Sequence, residues 1–264
     1  MKKIKLYMVT YNNEENLNLT LHSLFLNTKI PIEIYVINNH SKFRLFKIFE
    51  PFVTKVLHNV LRPDFSTGHL SRNWNQALIL GFENLKEPKA DIVIGCQEDT
   101  IFYPSWLENL LKLHEKYSFI TYGWGDNFMS WTPEAVKRIG LWDESFQMSG
   151  HTSDYFLRAL LYNKEKSSIN DYHHSRLLNI EKIKIADRLG EIKEHQAERK
   201  FNAPYGKQMI EHKWEELKYC SPMIDRWESE FIEYAPKIKQ KCSNRIIYPY
   251  FEKDVETLKE QKYV

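Results

Sequence analysis

Three short stretches open the chain, and their patterns of apolar and polar side chains predict a strand, a helix and a second strand. Residues 4–9 form a short apolar run rich in β-favouring side chains. Residues 14–26 place apolar side chains at three- and four-residue intervals, as one face of an amphipathic helix does. Residues 32–37 return to a strand pattern. Together they predict a β-α-β unit with parallel strands.

The alternation of strands and helices continues along the chain. The pattern predicts a helix over residues 68–82, a strand buried on both faces over 91–96, and a helix over 105–116 with Pro104 near its first turn. Such repetition is typical of an α/β fold, in which helices cover both faces of a mostly parallel sheet. Ligands bind these sheets beyond the carboxyl ends of the strands, so we expect the functional residues just after the strands.

The composition changes near residue 180 and divides the chain into a predicted α/β domain, residues 1–180, and a C-terminal extension, residues 181–264. The extension holds 17 Lys and Arg with 16 Asp and Glu, and its spacing of apolar residues predicts helices. Its apolar positions need a covering surface, so we expect packing on the first domain, with a homodimer through the extension as a further option. These positions are Leu189, Ile192, Trp214, Leu217, Trp227, Phe231 and Ile232.

Charge and cysteine content exclude several classes of protein. The 264-residue chain has a net charge of +2, which provides no basic field to hold nucleic acid or an anionic membrane. Its apolar stretches are far shorter than the roughly 18 residues that cross a bilayer, so no transmembrane segment is predicted. Its three cysteines are widely spaced and indicate neither a disulfide framework nor a zinc knuckle. We therefore expect a cytoplasmic protein that does not bind nucleic acid.

Polar residues follow three of the predicted strands. They are Thr10, Tyr11, Asn12 and Glu14 after the first, Asn38 and Asn39 after the second, and Gln97, Glu98 and Asp99 after the third. The first two groups can bind a nucleobase or a ribose, and they can equally cap a helix or close a turn. In the third group, adjacent carboxylates repel each other unless they are exposed or a cation compensates them. A hard divalent ion suits that role.

Five segments of the first 180 residues follow one another in a distinctive order. They are Val9 to Asn12, residues 34–41, Trp74 to Ala77, residues 94–99, and Trp106-Leu107. This ordered series, more than any single motif, resembles the nucleotide-sugar half of family 2 glycosyltransferases of the GT-A fold. The resemblance implies a GT-A-like (Rossmann-like), mostly parallel mixed sheet flanked by helices, followed here by the α-helical extension.

Farther along, residues 139–146 resemble the acceptor-side segment of the same family. Trp124 lies between two glycines, and an indole face is a good platform for a sugar ring, although core packing is the alternative. Its neighbour Asp126 could hold an acceptor hydroxyl. The acceptor-binding candidates are thus Trp124, Asp126, Asp143 and Glu144, and the helix that faces the donor in this family adds Arg72 and Asn75 to the donor-binding candidates.

The resemblance also implies a metal site. Asp99 stands where the family has its DxD motif and is the expected ligand of Mn²⁺ or Mg²⁺, with Glu98 near the ribose or a metal-bound water. Residues 171–175 resemble the segment that carries the family's late histidine. His173 or His174 would complete the coordination or hydrogen-bond the diphosphate, and a pair of surface histidines is the alternative.

The catalytic base is where the chain departs from the family pattern. Residues 154–158 resemble the helix that follows the acceptor-side segment, and an ungapped alignment puts Thr152 in the place of the base aspartate. Threonine does not accept a proton at neutral pH, which leaves His151 and Asp154 as candidates. We favour Asp154, because a helix start stabilises a carboxylate, although a plain N-cap would occupy the same position.

The resemblance therefore implies an inverting, metal-dependent glycosyltransferase that moves a sugar from a nucleotide-sugar donor to a glycan or glycolipid acceptor. Thr152 at the expected base position motivates one alternative, a non-catalytic protein that binds a nucleotide sugar or a carbohydrate. A second alternative is a structural protein whose helical extension builds an assembly around a GT-A fold without activity.

Overall fold

The computed structural model describes residues 2–39, 44–59, 69–122, 125–146, 150–170, 176–182, 204–206, 208–214 and 239–244. The strands are β1 (Ile4–Thr10), β2 (Glu33–Asn38), β3 (Lys55–His58), β4 (Ile92–Gln97), β5 (Thr100–Phe102), β6 (Phe119–Thr121), β7 (Phe128–Trp131) and β8 (Ile180–Lys182). The α-helices are α1 (Glu14–Asn27), α2 (Leu70–Phe82), α3 (Trp106–Leu113), α4 (Pro133–Ile139) and α5 (His151–Tyr162). Three of the predicted site residues, Trp124, His173 and His174, lie outside the described residues.

A six-stranded mixed sheet forms the centre of the fold, with the strand order β3-β2-β1-β4-β7-β6. The first four strands are parallel, as the alternation of strands and helices predicts. β7 runs antiparallel to β4, and β6 runs antiparallel to β7. A separate antiparallel ribbon joins β5 to β8. The prediction of a mostly parallel mixed sheet flanked by helices is confirmed.

The sheet is buried on both faces, which explains why β1 is apolar apart from Lys5 and Thr10. Tyr7 and Val9 point into a core that also contains side chains of α2, α4 and α5. Leu6 and Met8 point into the opposite core, which contains side chains of α1 and α3. Because successive side chains of a strand alternate between faces, one strand serves both cores.

Gly95 of β4 lets a large aromatic side chain lie against the sheet. A Cβ atom at this position would come within 2.8 Å of the Trp74 ring and 3.1 Å of the Trp131 ring. The Trp74 side chain is completely buried and is carried by α2. The missing side chain therefore sets how closely α2 approaches the carboxyl-terminal half of β4.

The described part of the predicted extension packs on the α/β fold. Residues 204–206 and 208–213 are helical, and Ile210 and Trp214 are buried in the same core as Trp74. Ile180 pairs with Phe102 in the β5–β8 ribbon, so this unit continues past residue 180. Among the described residues, no helix combines the length and the apolar character needed to span a bilayer.

Candidate active site

The carboxyl ends of β1, β2 and β4 bring the predicted strand-end residues to one edge of the sheet. The Asn39 N–H donates to the Thr10 carbonyl at 3.1 Å, and the Glu98 N–H donates to the Val9 carbonyl at 3.1 Å. Asn13, which caps α1 by accepting a hydrogen bond from the Asn16 N–H, closes the turn after β1. These contacts place the polar groups where ligands of parallel sheets bind.

The remaining residues of this turn differ in how exposed their side chains are. Thr10 is buried, whereas Tyr11 and Glu14 are partly exposed. Asn12 is exposed and has a φ of 49°, in the left-handed region that asparagine tolerates better than most residues. Asn13 caps α1, as one of the two alternatives for this turn predicts, and ligand binding by Thr10, Tyr11, Asn12 and Glu14 stays a prediction.

Glu98 is buried at the junction of β1 and β4. Burial and the neighbouring Asp99 carboxylate raise the pKa of Glu98 to about 8, although the backbone N–H groups of Glu98 and Tyr11 act in the opposite direction. At neutral pH this carboxyl is therefore largely protonated and can donate a hydrogen bond. A neutral carboxyl suits a contact with a hydroxyl, such as one of a ribose, better than a contact with a cation.

The Asp99 carboxylate is more accessible, with 20% of its side chain exposed. It accepts hydrogen bonds of 3.1 and 3.2 Å from the Asn127 amide, and the Lys182 ammonium lies 3.4 Å away. The described residues contain no group of three or more His, Cys, Asp or Glu side chains that could hold a metal ion. Mg²⁺ in nucleotide sites is commonly held by one or two carboxylates together with substrate phosphates. Asp99 fits such a site as a partner of a bound diphosphate.

A cluster of side-chain amides lies beyond β2 and β3. The Asn59 amide donates to Gln76 at 2.8 Å and to Asn39 at 3.3 Å, and the Gln76 amide donates back to Asn59 at 3.3 Å. The Nδ2 atoms of Asn39 and Asn73 are buried and have no hydrogen-bond partner among the described residues. We refer to Asn39, Asn59, Asn73 and Gln76 as the amide cluster. Its unused donors suit a ligand rich in hydrogen-bond acceptors.

Asn38 points away from this cluster. Its side-chain Nδ2 lies 3.0 Å from Nδ1 of His58, and the residue is almost completely buried. The His58 ring joins the ends of β2 and β3 in this way. Of the two asparagines at the end of β2, Asn39 is therefore the one whose side-chain Nδ2 has no hydrogen-bond partner among the described residues.

Arg72, Asn75 and Glu144 bind one another, although we expected the first two on the donor and the third on the acceptor. The Arg72 Nε donates to the Glu144 carboxylate at 3.1 Å, and the Asn75 amide donates to it at 2.9 Å. Asn75 also exchanges hydrogen bonds with the backbone of Trp142. Asn75 and Glu144 are buried, and this set joins α2 to the 140–146 loop, which does not support the predicted contacts with donor and acceptor.

Asp143 is likewise occupied by protein groups. Its Oδ1 atom accepts hydrogen bonds from the Ser145 N–H and hydroxyl, and its Oδ2 atom lies 2.7 Å from the Lys213 ammonium. The residue is 3% exposed. These contacts do not support the prediction that Asp143 binds the acceptor.

Asp154 has the same kind of surroundings. Its Oδ2 atom accepts two hydrogen bonds from Arg158, and its Oδ1 atom lies 2.8 Å from Lys213 and 3.0 Å from the Trp214 indole nitrogen. Burial would raise the pKa of Asp154, but Lys213 and Arg158 outweigh it and lower that pKa. A fully buried carboxylate with a lowered pKa and four hydrogen-bond donors is poorly suited to take a proton. Its surroundings therefore argue against our preference for Asp154 as the base.

His151 and Asp126 form a different pair. His151 Nε2 lies 3.0 Å from the Asp126 Oδ2 atom, and both residues are less than one-tenth exposed. The Trp74 indole donates to the same oxygen at 3.0 Å, and the Gln97 amide donates to Asp126 Oδ1 at 3.1 Å. The structure thus connects Gln97, expected on the donor, with Asp126, expected on the acceptor, and with His151, the second candidate base.

Sequence comparison identifies the family. The profile described as Glycosyl transferase family 2 matches residues 6–182, well over half of the chain. The chain belongs to glycosyltransferase family 2. No curated protein matches it at the significance required in that comparison.

Several solved structures are similar to this family 2 chain. The mannosyltransferase PcManGT from Pyrobaculum calidifontis, in complex with GDP-Man and Mn²⁺, is 13% identical, with a TM-score of 0.47, 89% of this chain covered and 72% of that one. Glucosyl-3-phosphoglycerate synthase from Mycobacterium tuberculosis is 9% identical, with a TM-score of 0.47 and coverages of 63% and 68%. S. aureus TarS 1–349 is 15% identical, with a TM-score of 0.44 and 59% of this chain covered. The match spans 56% of that TarS chain, little more than half of its length.

Sequence reasoning missed several residues of this candidate site. Asn59 follows β3, a strand that the pattern did not predict, so its position at the end of a strand was not recognised. Asn73 and Gln76 flank the Trp74-Asn75 segment, and their three-residue spacing on a predicted helix is a signal that could have found them. Lys213 lies in the extension and has no local pattern that connects it to Asp143 or Asp154.

Proposed function

We propose that this chain is an inverting glycosyltransferase that transfers a hexose from a nucleotide-sugar donor to a hydroxyl of a glycan or glycolipid acceptor. The observation that carries the proposal is the convergence of polar side chains at the carboxyl edge of a sheet belonging to glycosyltransferase family 2. The amide cluster, with the unpartnered Nδ2 atoms of Asn39 and Asn73, lies along this edge together with the accessible Asp99 carboxylate and the buried Glu98 carboxyl.

These groups suit different parts of a donor. The amide cluster provides donors and acceptors for a nucleobase or ribose, and the buried Glu98 carboxyl provides a hydrogen-bonding group for a ribose hydroxyl. Asp99 would hold Mn²⁺ or Mg²⁺ together with the diphosphate. When bound, the ion neutralises the charge that develops on the diphosphate leaving group. The remaining task, removal of the proton from the acceptor hydroxyl, falls to a basic side chain on the acceptor side.

The first experiment measures donor binding. The melting temperature is recorded with UDP-, GDP- and CMP-sugars, each with and without Mn²⁺, for the full chain and two variants. Asp99→Asn should remove the Mn²⁺-dependent part of the shift. The control Asp91→Asn changes an exposed aspartate before β4, at the opposite edge of the sheet, and should leave the shift intact. Undiminished Mn²⁺-dependent binding in Asp99→Asn would refute the metal assignment, and the lack of any nucleotide effect would favour the structural alternative.

The second experiment separates transfer from binding alone. The occupied state of Asp154 favours the non-catalytic alternative, because helix α5 then offers no free carboxylate as a base. Incubation of the bound donor with oligosaccharide and glycolipid acceptors, followed by NMR of the product, measures both turnover and the anomeric configuration. Inverted product supports the proposal, retained configuration contradicts inversion, and binding without any transfer or donor hydrolysis supports the binding module.

Two further parts of the proposal concern the state of the protein. We place the reaction in the cytoplasm, in keeping with the buried, unpaired thiol of Cys96. A homodimer through the extension is a further proposal, although Ile210 and Trp214 are buried against the protein's own core and contribute nothing to such an interface. Light scattering of the full chain measures the oligomeric state, and a monomer excludes the dimer.

A further inference from the structure

The Asp126 carboxylate is fixed from several sides. Trp74 on α2 and Gln97 at the end of β4 donate hydrogen bonds to its two oxygens, and His151 at the start of α5 contacts it at 3.0 Å. Burial would raise the pKa of Asp126, but the contacts with His151 and Trp74 outweigh burial and lower it. Asp126 is therefore ionised at neutral pH, and its orientation is determined by three separate elements of the fold.

An ionised carboxylate determines which nitrogen of His151 carries the proton. A carboxylate only accepts hydrogen bonds, so in the neutral form of the ring Nε2 is the nitrogen that carries the proton. Nδ1 then holds the lone pair. This atom is buried and has no hydrogen-bond partner among the described residues. The ring thus presents a basic nitrogen whose acceptor capacity the protein leaves unused.

We propose that Asp126 and His151 form the proton-accepting pair of the glycosyl transfer reaction. They take the place of the single base carboxylate, because this chain has Thr152 at the position expected for that aspartate. The inference rests on the proposed transferase function. His151 Nδ1 takes the proton of the acceptor hydroxyl while the hydroxyl oxygen bonds to the anomeric carbon of the donor sugar. The bond from that carbon to the diphosphate breaks, and the diphosphate leaves with the electron pair. Asp126 is a positioning residue that holds the tautomer and stabilises the imidazolium.

The environment of His151 suits this role. Asp126 is the one ionisable side chain that pairs with the ring among the described residues, and the ring also packs against the indole of Trp142, with 5.9 Å between the ring centroids. The Asp126 carboxylate fixes Nε2, and the aromatic neighbour limits the rotation of the ring. Because Nδ1 is buried in the unliganded structure, acceptor binding has to uncover it.

The experiment compares His151→Gln and Asp126→Asn with the control His22→Gln, which changes an exposed histidine on α1. Both test variants should lower kcat about 100-fold or more and leave the Kd of the donor within about threefold. The double variant should be no slower than the slower single variant, because the two residues act as a unit. The control should match the parent chain.

Two readouts separate a proton-accepting role from a merely structural one. The acidic limb of the kcat profile against pH should disappear in His151→Gln and move to lower pH in Asp126→Asn, since loss of the carboxylate makes the ring less basic. Added imidazole should restore part of kcat to His151→Ala. If His151→Gln keeps kcat within about threefold, or if Asp126→Asn loses donor binding in parallel with kcat, the pair is not the base.

Failure of the proposed function is recognised separately. If the parent chain binds the donor but transfers to no acceptor and hydrolyses no donor, then transfer itself is refuted. In that case ¹⁵N NMR of the histidine rings still tests the pair, because the parent should show a protonated Nε2 and an unprotonated Nδ1 for His151. The opposite tautomer overturns the inference.

Discussion

Replacement of Lys213 by methionine tests the buried ion-pair network that joins the C-terminal region to the α/β fold. The Lys213 ammonium lies 2.7 Å from Asp143, 2.8 Å from Asp154 and 2.6 Å from the Asn244 side-chain oxygen, and 1% of its side chain is exposed. Methionine keeps the length of the side chain and removes its charge. The substitution leaves two carboxylates buried without their shared cation.

The magnitude follows from what each carboxylate retains. Asp154 keeps its two hydrogen bonds from Arg158, but the Asp143 Oδ2 atom loses the ammonium at 2.7 Å. Removal of one partner from a buried ion pair costs about 3–5 kcal/mol. Since domains are stable by about 5–15 kcal/mol, the loss is a large share of the free energy of unfolding.

Urea denaturation followed by tryptophan fluorescence measures this loss, provided that the slope against urea stays constant. The matched control is Lys241→Met, because Lys241 is exposed and donates to a backbone carbonyl. It should change the free energy of unfolding by less than about 0.5 kcal/mol. A Lys213→Met variant within about 1 kcal/mol of the parent would refute the reasoning. Adding Asp143→Asn to Lys213→Met should recover part of the loss, since one uncompensated charge is then removed.

The pH dependence of the free energy of unfolding tests the same ion-pair network. Lys213 and Arg158 lower the pKa of Asp154 below its value of about 3.9 in the unfolded chain, although burial acts against them. A lowered pKa contributes stability above the unfolded value, and this contribution is lost as the pH falls through the folded value. In Lys213→Met the pKa of Asp154 should rise, so its acid-induced loss of stability should begin at a higher pH than in the parent.

Two further predictions concern the core. Burial lowers the pKa of His114 to about 4, so between about pH 6.5 and pH 4 the unfolded chain binds a proton that the folded chain does not. The free energy of unfolding should therefore fall by about 1.4 kcal/mol for each pH unit by which the pH is lowered in that range. His114→Phe should flatten this slope, measured by denaturation at several pH values. Gly95→Ala should lower the free energy of unfolding by about 1–3 kcal/mol, because its Cβ would lie 2.8 Å from the Trp74 ring; a melting temperature equal to that of the parent would contradict that packing.

The long strands and helices could be predicted from the sequence because their patterns are local. β1 and β4 are buried on both faces and are therefore mostly apolar. β3, β6 and β7 could not be predicted, because strands of three or four residues are too short to show a period. The resemblance implied a mixed sheet, but the positions of its antiparallel strands β6 and β7 were missed for this reason.

The candidate site was also only partly predictable from the sequence. Positions at strand ends follow from the strands themselves, so Asn39, Glu98 and Asp99 could be named from the sequence. Which side chains are already occupied depends on partners far away in the chain. Asp154 is paired with Lys213 and Trp214, about 60 residues later, and no local spacing indicates this contact. A helix-start aspartate therefore resembled a free base in the sequence.

The same contacts make the C-terminal region part of the candidate active site. Lys213 and Trp214 bind Asp154, which stands one turn after His151 on α5, and Lys213 also binds Asp143 in the loop before that helix. Removal of the region would take the Lys213 ammonium away from both carboxylates and expose the core surface that Ile210 and Trp214 cover. The start of α5, and with it the distance between His151 and Asp126, thus depends on a segment beyond the residues that the family profile matches.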